Sequence, residues 1–456
     1  MVLKTTRKSY PVAAVALAVV LVMYLALFSS LSDDSGLQLI PSLSFTQGTL
    51  QQTSVSRRIE QAPQEMTSAS ITCDRSHTIY DVCSINGSCN LNPKTGTFTL
   101  IDPTSAPSVE KIKPYPRKTD KWVMPEIKEL TLTSGPLSLS RSCDVTHDSP
   151  AIVFSAGGYT GSIYHDFIDG FIPLFITVNT IFPNRDFILA VVDSKEWWMS
   201  KYIDLLGAFS KHKTILLLDK ENASSLTHCF PSATVGLISH GPMTVDPTQI
   251  SNSKSLVDFH NLLDKAFNTN ISTLKTNKPR LIFVSRYGTV GRVILNEKEI
   301  KEMLEDVGFE VITFRPSKKT SLRKAYKLIK SSHVMVGVHG AALTHFLFLR
   351  PGSVLVQIVP VGLGWVAKTC FEKPAKAMKL EYIEYSVNVG ESSLVEKYSR
   401  DDLVLKDPIA FRGLGWNVTR MNVYLKEQDV RLDVNLFRKR MNKAYEKAKS
   451  FMDINH

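Results

Sequence analysis

The longest hydrophobic segment lies near the amino terminus, where residues 11–28 read PVAAVALAVVLVMYLALF without a charged side chain. A helix of this length extends about 27 Å, close to the thickness of the hydrocarbon core of a bilayer. Basic residues precede the segment and two aspartates follow it, so the positive-inside rule places residues 1–10 in the cytoplasm. The pattern predicts a transmembrane signal-anchor at residues 11–30, with a cleaved signal peptide as the alternative.

After a polar stem at residues 31–70, the chain takes on the pattern of a folded protein. Residues 71–148 hold a cysteine cluster and a Pro-rich stretch, which predict a disulfide-tied lead-in. From residue 149, apolar runs of strand length alternate with helix-period segments, and the alternation restarts after residue 272. Strands that alternate with helices predict parallel sheets.

The predicted fold class is therefore α/β, with two Rossmann-like doubly wound domains that face a cleft. The first domain is expected at residues 149–272 and the second at 273–430. The last segment, 431–456, is predicted to be a helix that packs back on the first domain. In doubly wound sheets ligands bind at the carboxyl ends of the strands, so candidate site residues are sought there.

The bulk composition favours a globular protein with an anionic partner. Hydrophobic residues make up 43% and charged residues 21% of the chain, which excludes a disordered protein. The formal net charge of +11 favours anions such as nucleotide diphosphates, although a solvated basic surface has the same composition. No nucleic-acid-binding motif is present, and nucleic acid is not expected as a partner.

Cysteines and glycosylation motifs agree with a lumenal address. The cysteines before the first buried strand lack zinc spacing and predict one or two disulfides of unknown pairing. These disulfide candidates are Cys73, Cys83, Cys89 and Cys143. Cys229 and Cys370 either pair or stay free. N-glycosylation acceptors are Asn86, Asn222, Asn270 and Asn417.

Two loops of the second domain predict an anion site. Arg286 and Arg292 follow a strand in a glycine-containing loop, and arginine binds phosphate with a fixed fork of donors. The loop His339-Gly340-Ala341-Ala342 separates a buried strand from a helix, where backbone N–H groups can approach an anion closely. A surface loop and a tight turn without a ligand are the alternatives.

A glycine-rich loop of the first domain leads into the candidate catalytic residues His165, Asp166 and Asp169. A histidine that is held by a carboxylate can serve as a general base. Acids that merely complement the helix dipole are the alternative. No Asp-x-Asp motif occurs, so the sequence predicts no metal and no required cofactor.

Residues 71–450 resemble glycosyltransferase family 61, in particular its plant xylan-modifying members. The resemblance rests on residues 157–167, 285–286, 292, 296–297 and 336–345, and on residues 113–118 and 424–430 for the xylan-acting branch. It implies a GT-B-like fold and inversion at the anomeric carbon. It also implies a UDP-pentose donor, arabinofuranose or xylose, and a xylan acceptor in the Golgi.

Our hypothesis places the UDP-sugar against the second domain and the acceptor against the first, with His165 or Asp166 as the base. The implied location is the Golgi membrane, as a single-pass type II protein with a lumenal catalytic domain. A complex with other glycosyltransferases is left open. The alternatives are a β-1,2-xylosyltransferase that acts on protein N-glycans and a non-catalytic subunit of a Golgi synthase.

Overall fold

The computed structural model describes residues 69–102, 108–135, 142–217, 226–267, 276–288, 291–413 and 417–455. The predicted tail, anchor and nearly all of the stem lie outside these residues, as do the acceptors Asn222 and Asn270.

Strands and helices alternate through most of the described residues. The strands are β1 Ser70–Asp74, β2 Val82–Asn92, β3 Thr97–Ile101, β4 Val109–Ile112, β5 Leu130–Gly135, β6 Val145–Thr146, β7 Ala151–Ser155, β8 Ile188–Val192, β9 Ile215–Leu217, β10 His228–Val235, β11 Arg280–Val284, β12 Glu310–Phe314, β13 Val334–Val338, β14 Val354–Val359 and β15 Glu381–Ser386. The helices are α1 Ile163–His165, α2 Ile172–Ile181, α3 Glu196–Phe209, α4 Leu256–Phe267, α5 Glu297–Val307, α6 Leu322–Lys330, α7 Gly364–Ala367, α8 Lys373–Ala377, α9 Leu403–Lys406, α10 Pro408–Arg412, α11 Val418–Lys426 and α12 Val434–Asn455. A π-helical segment, Asp166–Phe171, joins α1 to α2, and a 3₁₀ helix, Ala341–Phe348, follows β13.

The first half of the molecule is built on a mixed ten-stranded sheet. Its strand order is β4-β5-β3-β2-β10-β7-β8-β9, with β1 paired to β2 and β6 to β10. Strands β10, β7, β8 and β9 are parallel, and the side chains of β7 and β8 are buried throughout. Such uniformly apolar runs are typical of parallel strands that are covered on both faces.

The lead-in is part of this sheet. Strand β2 runs antiparallel to β10 and so covers its edge, which would otherwise present unpaired N–H and C=O groups. Two disulfides fasten this region, Cys73–Cys83 between neighbouring strands and Cys143–Cys229 across a long sequence interval. Cys89 is buried and free, so its candidacy for a disulfide was wrong. The reason is geometric: Cys143 precedes β6, and the pairing of β6 with β10 brings it beside Cys229 instead.

The second half is built on a five-stranded parallel sheet of order β12-β11-β13-β14-β15. Within this sheet the chain forms β11 first, then β12 on one side of it and β13 on the other side. The order therefore reverses between β11 and β13. At such a switch point the loops after the two strands diverge and leave a crevice for a ligand.

The two halves share one continuous hydrophobic core. Residues of both sheets belong to the same buried cluster. Phe171 stacks on Trp198 within the first half with ring centroids 5.6 Å apart, and Phe167 meets Phe348 of the second half at 6.4 Å. Aromatic packing of this kind stabilises the arrangement of the two halves as one body.

The carboxyl-terminal helix α12 lies on the second half. Its Tyr445 packs edge-to-face on Phe309, and Arg438 and Lys447 pair with acidic groups of the same half. The expectation that this helix returns to the first half is therefore not met.

The fold class predicted from the sequence was wrong as stated. Within the described residues no helix is both long and apolar enough to cross a membrane, and the segment expected to do so lies outside them. The first half also differs from a separate doubly wound domain. Its parallel strands continue into antiparallel ones contributed by the lead-in, because the edge of β10 is completed by β2.

Candidate active site

Arg286 and Gly340 meet at the switch point of the second sheet. Arg286 follows β11, and Gly340 follows β13. A Cβ atom on Gly340 would lie 2.4 Å from Nη1 of Arg286 and 3.4 Å from Nη1 of Arg292. Only glycine allows both guanidinium groups to approach the backbone here, so the two predicted loops form one site.

Arg292 is fixed from several sides. It adopts a left-handed backbone conformation with φ of 61°. Its backbone N–H donates to the carbonyl of Gln428, and its Nη1 donates to the carbonyl of His339 at 3.0 Å. The preceding Gly291 lies so close to the carbonyl of Lys426 that a Cβ would stand 2.6 Å from that oxygen. The loop thus aims the guanidinium at the switch point.

Neither arginine has an ion-pair partner among the described residues, although the charge of Asp429 favours the cationic form of Arg286. Nε of Arg286 and Nε of Arg292 are buried and have no hydrogen-bond partner among the described residues. Burial lowers the pKa of Arg286, and burial together with the charge of Arg286 lowers that of Arg292 to about 9. A bound anion would supply acceptors to both groups and reverse this electrostatic cost.

His339 is buried beside the arginines in its neutral form. Burial, and then the charges of Arg292 and Arg286, hold the pKa of His339 well below its usual range. Tyr382 donates to Oε1 of Gln357 at 2.8 Å, and Nε2 of Gln357 donates to Nδ1 of His339 at 2.9 Å. Because Nδ1 accepts, the proton of His339 lies on Nε2.

In the first half, Asp169 connects His165 to two residues of the Pro-rich stretch. Nδ1–H of His165 donates to Oδ2 of Asp169 at 2.9 Å, and the hydroxyl of Tyr115 donates to the same oxygen at 3.0 Å. Arg117 donates from Nε and Nη2 to Oδ1, each at 2.8 Å. Burial opposes the charge of Asp169, but Arg117 and His165 outweigh it and hold its pKa below the usual range. His165 is thereby held with Nε2 available to take a proton.

Asp166 has a different environment from His165. One of its oxygens accepts from the hydroxyl of Tyr202 at 2.6 Å, and the other accepts from the backbone of Gly161 at 3.3 Å. Burial raises the pKa of this carboxyl, although these bonds oppose the rise. Both oxygens are therefore occupied in fixing the glycine-rich loop on α3, which is a structural role.

Aromatic rings connect the two groups of candidate residues. The ring of Tyr164 lies 5.5 Å from that of His165 and 6.0 Å from that of Phe371, and Phe371 lies 5.3 Å from His339. The predicted site residues of both halves therefore face one region of the molecule. Within the described residues no group of three metal-ligating side chains is present.

Comparison with known proteins shows the family of the chain. The family model described as Glycosyltransferase 61 matches residues 163–356, which include the predicted residues His165, Asp166, Asp169, Arg286 and Arg292 and the loop at 339–342. Xylan glycosyltransferase MUCI21 of Arabidopsis thaliana is 40% identical over 403 residues, which cover 83% of this chain and 80% of that protein. The chain belongs to glycosyltransferase family 61. The resemblance drawn from the sequence motifs is confirmed.

Two further relatives of this transferase come from Oryza sativa subsp. japonica. Alpha-1,3-arabinosyltransferase XAT3 is 36% identical over 375 residues, which cover 80% of this chain and 63% of the relative. Beta-1,2-xylosyltransferase XYXT1 is 33% identical over 414 residues, which cover 85% of this chain and 86% of the relative. Each of the three alignments thus covers at least 80% of the transferase.

Sequence reasoning did not identify Tyr115 and Arg117 of the transferase as site residues. They precede His165 by about fifty positions, and only the sheet brings the two segments together. Two prolines fix the backbone around Tyr115, and an arginine in such a rigid polar stretch was a signal that could have drawn attention.

The described glycosylation acceptors of the transferase are accessible. Asn86 is exposed on β2, and Asn417 is exposed at the start of α11, where its side-chain oxygen accepts from the backbone of Arg420 at 3.1 Å.

Proposed function

We propose that this family 61 transferase moves a pentose, arabinofuranose or xylose, from a UDP-sugar to the xylan backbone in plant cell-wall synthesis, with inversion at the anomeric carbon. The name of the Arabidopsis relative specifies xylan, and the names of the two rice relatives specify arabinosyl and xylosyl transfer. The observation that carries the donor assignment is the pair of arginines, Arg286 and Arg292, whose buried Nε atoms have no hydrogen-bond partner among the described residues.

The donor diphosphate lies against the loops after β11 and β13 in this proposal. Arg286, Arg292 and the backbone of Gly340-Ala341-Ala342 bind its oxygens, while Nε2–H of His339 provides a neutral donor. Two fixed cations perform the neutralisation that a divalent ion performs in enzymes with an Asp-x-Asp motif. The proposal therefore requires no metal or other cofactor.

The acceptor hydroxyl approaches Nε2 of His165. The imidazole takes the proton of the hydroxyl while the oxygen attacks the anomeric carbon. The bond between that carbon and the β-phosphate oxygen breaks, and UDP leaves with the electron pair. Asp169 stabilises the imidazolium that forms, and Arg117 and Tyr115 hold Asp169 in position. A single displacement inverts the configuration, because the nucleophile enters opposite the leaving group.

The proposed working environment is the Golgi lumen, where nucleotide sugars and polysaccharide acceptors are brought together. The two disulfides support an oxidising compartment.

A donor and acceptor screen of the full chain tests the function. UDP-xylose, UDP-arabinofuranose, UDP-arabinopyranose and UDP-GlcNAc are each incubated with xylohexaose or with an N-glycopeptide, with and without EDTA. Pentose transfer to xylohexaose in EDTA is expected. Transfer to the glycopeptide alone would instead indicate an N-glycan xylosyltransferase, and UDP binding without any transfer would indicate a non-catalytic subunit.

The variant Arg286→Ala tests the donor site within the same screen. We expect a loss of turnover of at least about 10²-fold, because a charge-assisted contact to the leaving group disappears. Arg438→Ala is the matched control, since Arg438 pairs with Asp306 on a distant surface. Equal activity of Arg286→Ala and wild type would refute the donor assignment.

A further inference from the structure

A second cationic region adjoins the candidate donor loop. A cavity of about 190 Å³ opens between the two halves, beside Gly161 and Ile163 of the first and beside the loop after β12 of the second. Ala341 and Ala342, which follow Gly340, also line this cavity. The same short stretch of backbone therefore adjoins the two arginines through Gly340 and the cavity through the two alanines.

The cavity has the lining expected of an anion site. Two lysines, Lys201 and Lys318, line it together with the hydroxyl-bearing Ser162, Ser317 and Thr320. No aspartate or glutamate is among its lining residues. A surface that only solvates its charges usually mixes both signs, so the absence of carboxylates from this lining favours a negatively charged occupant.

Lys201 is the first half's contribution to this charge. It lies on α3, is half-buried, and has its ammonium 5.4 Å from the ring centroid of Tyr202. Lys201 forms no ion pair within the described residues. Most of the other half-buried lysines in this part of the chain do pair with an aspartate or a glutamate. Burial lowers the pKa of Lys201, and the charge of Asp166 opposes that shift.

His345 forms part of the second half's lining and is almost completely buried. Its Nδ1–H donates to the carbonyl of Ala342 at 2.8 Å, which leaves Nε2 as an acceptor without a hydrogen-bond partner among the described residues. Burial lowers the pKa of His345 to about 4, so the ring stays neutral at physiological pH. The cavity thus offers cations, hydroxyls and one unpaired acceptor within a wall that is otherwise apolar.

We propose that this cavity receives part of the diphosphate of the nucleotide-sugar donor, and that Lys201 binds the leaving group from the first half. The proposal rests on the proposed function for the donor class. The diphosphate lies along Gly340-Ala341-Ala342, with Arg286 and Arg292 on one side and Lys201 with Lys318 on the other. When the anomeric carbon–oxygen bond breaks, the electron pair remains on the β-phosphate oxygen, and Lys201 stabilises the added negative charge.

The experiment measures the binding of UDP, uridine and inorganic pyrophosphate to the full chain by calorimetry, without acceptor. Lys201→Met removes the charge and keeps an unbranched stem, whereas Lys201→Arg keeps the charge. Lys318→Met tests the second lysine on an exposed loop, where the fold is not at risk. Lys211→Met is the matched control, because Lys211 is exposed on the same half and pairs with Asp186.

We expect Lys201→Met to weaken UDP and pyrophosphate binding about 10-fold, in line with the loss of one charged contact, and to leave uridine binding unchanged. Lys201→Arg is expected to stay within about 3-fold of wild type and the control to be unchanged. Wild-type UDP affinity in both lysine variants, equal loss of uridine binding, or no binding of either UDP or pyrophosphate to the wild type would overturn the proposal.

The outcome is separable from that of the proposed function. A charge-dependent loss of UDP affinity without sugar transfer to xylan supports the cavity and rejects the acceptor. Transfer to xylan with unaltered UDP affinity in the lysine variants supports the function and rejects the cavity.

Discussion

His165, the last residue of α1, is joined to Asp169, one turn further along, by a hydrogen bond of 2.9 Å. The residues from Asp166 to Phe171 are wound as a π-helix, a conformation that is frequent at functional sites. The π-helical turn directs the carboxylate of Asp169 toward Tyr115 and Arg117. Asp169 therefore connects the imidazole of His165 to the lead-in.

Replacing His165 with Gln tests the proposed base. We expect kcat to fall about 10²–10⁴-fold, because no other group takes the acceptor proton, while UDP affinity stays unchanged. Asp166→Asn is expected to lower the stability of the protein rather than its kcat, since Tyr202 and Gly161 already occupy that carboxylate. Steady-state kinetics with His212→Gln, at a half-buried histidine before β9, as the control checks this, and full activity of His165→Gln would contradict the assignment.

Removing Arg117 tests the role of the ion pair in stability. Arg117→Ala leaves Asp169 buried with fewer partners, and we expect the free energy of unfolding at neutral pH to fall by about 3–5 kcal/mol. Asp169 has a lowered pKa in the folded protein, so its contribution is present above the unfolded value and is lost as the pH falls through the folded value. The difference in the free energy of unfolding between wild type and Arg117→Ala should therefore become smaller at acidic pH.

Denaturant titrations at neutral and acidic pH measure this deficit. Arg75→Ala is the control, because Arg75 forms half-exposed ion pairs, for which a cost of at most about 1 kcal/mol per pair is expected. If Arg117→Ala lowered the free energy of unfolding no more than Arg75→Ala does, the buried ion pair would contribute no more to stability than the half-exposed pairs.

Adding one methyl group at Gly340 is predicted to disturb the donor site without unfolding the protein. The new Cβ would stand 2.4 Å from Nη1 of Arg286, so the guanidinium must move. We expect KM for the UDP-sugar to rise about 10-fold, consistent with the weakening of one charge-assisted contact. Gly207→Ala is the matched control, since nothing lies within 4 Å of its Cβ position on α3. Identical KM values for the two variants would argue against the site.

The two disulfides are expected to differ in their effect on stability. Cys143–Cys229 closes a sequence interval of 86 residues and Cys73–Cys83 one of 10. The loop-entropy relation gives about 4–5 kcal/mol for the longer loop and about 2–3 kcal/mol for the shorter one. Thermal unfolding of the two double Cys→Ala variants checks the order, and a larger loss from the shorter loop would contradict it.

Two histidines beside the longer disulfide predict an acid-sensitive region. Nε2 of His147 and Nδ1 of His228 lie 3.0 Å apart, a hydrogen bond that requires at least one neutral ring. Burial, followed by the nearby His212 for His147 and by His147 for His228, lowers both pKa values. Folding therefore disfavours protonation, and the stabilisation that is complete above about pH 6.5 is lost as the pH falls below it.

We expect Tm to be a few degrees lower at pH 5 than at pH 7.5, and His147→Gln to remove part of that difference. Calorimetric scans at the two pH values measure both quantities. An unchanged pH dependence in the variant would mean that other groups cause it.

The sequence predicted the members of the candidate site that depend on local pattern. Arg286, His339 and Gly340 could be predicted because each follows a buried strand, and the carboxyl ends of neighbouring parallel strands meet at one edge. His165 and Asp169 could be predicted because their spacing places them on one helical face. The sequence could not show that Asp166 is occupied by Tyr202, since that bond joins residues 36 positions apart.

The parts that sequence reasoning missed depend on long-range pairing. The insertion of β2 beside β10, and with it the disulfide between Cys143 and Cys229, follows from completing a sheet edge rather than from any local signal. Arg117 reaches Asp169 for the same reason, because the strands of the lead-in bring it there. From the sequence alone, Lys201 is one of several basic residues. Its position in the cavity depends on the second half, which supplies the opposite wall.

The shared core has a consequence for how donor choice can change. Since Phe167, Phe348 and their neighbours join the halves, a wide hinge movement around the substrates would have to break this packing. We then expect discrimination between two pentoses to come from the shape of a largely preformed site between the halves. Of the described residues in the loops after β11, β12 and β13, only Ile294 belongs to the core. Exchanging these loops between family members should transfer donor preference while leaving the scaffold intact.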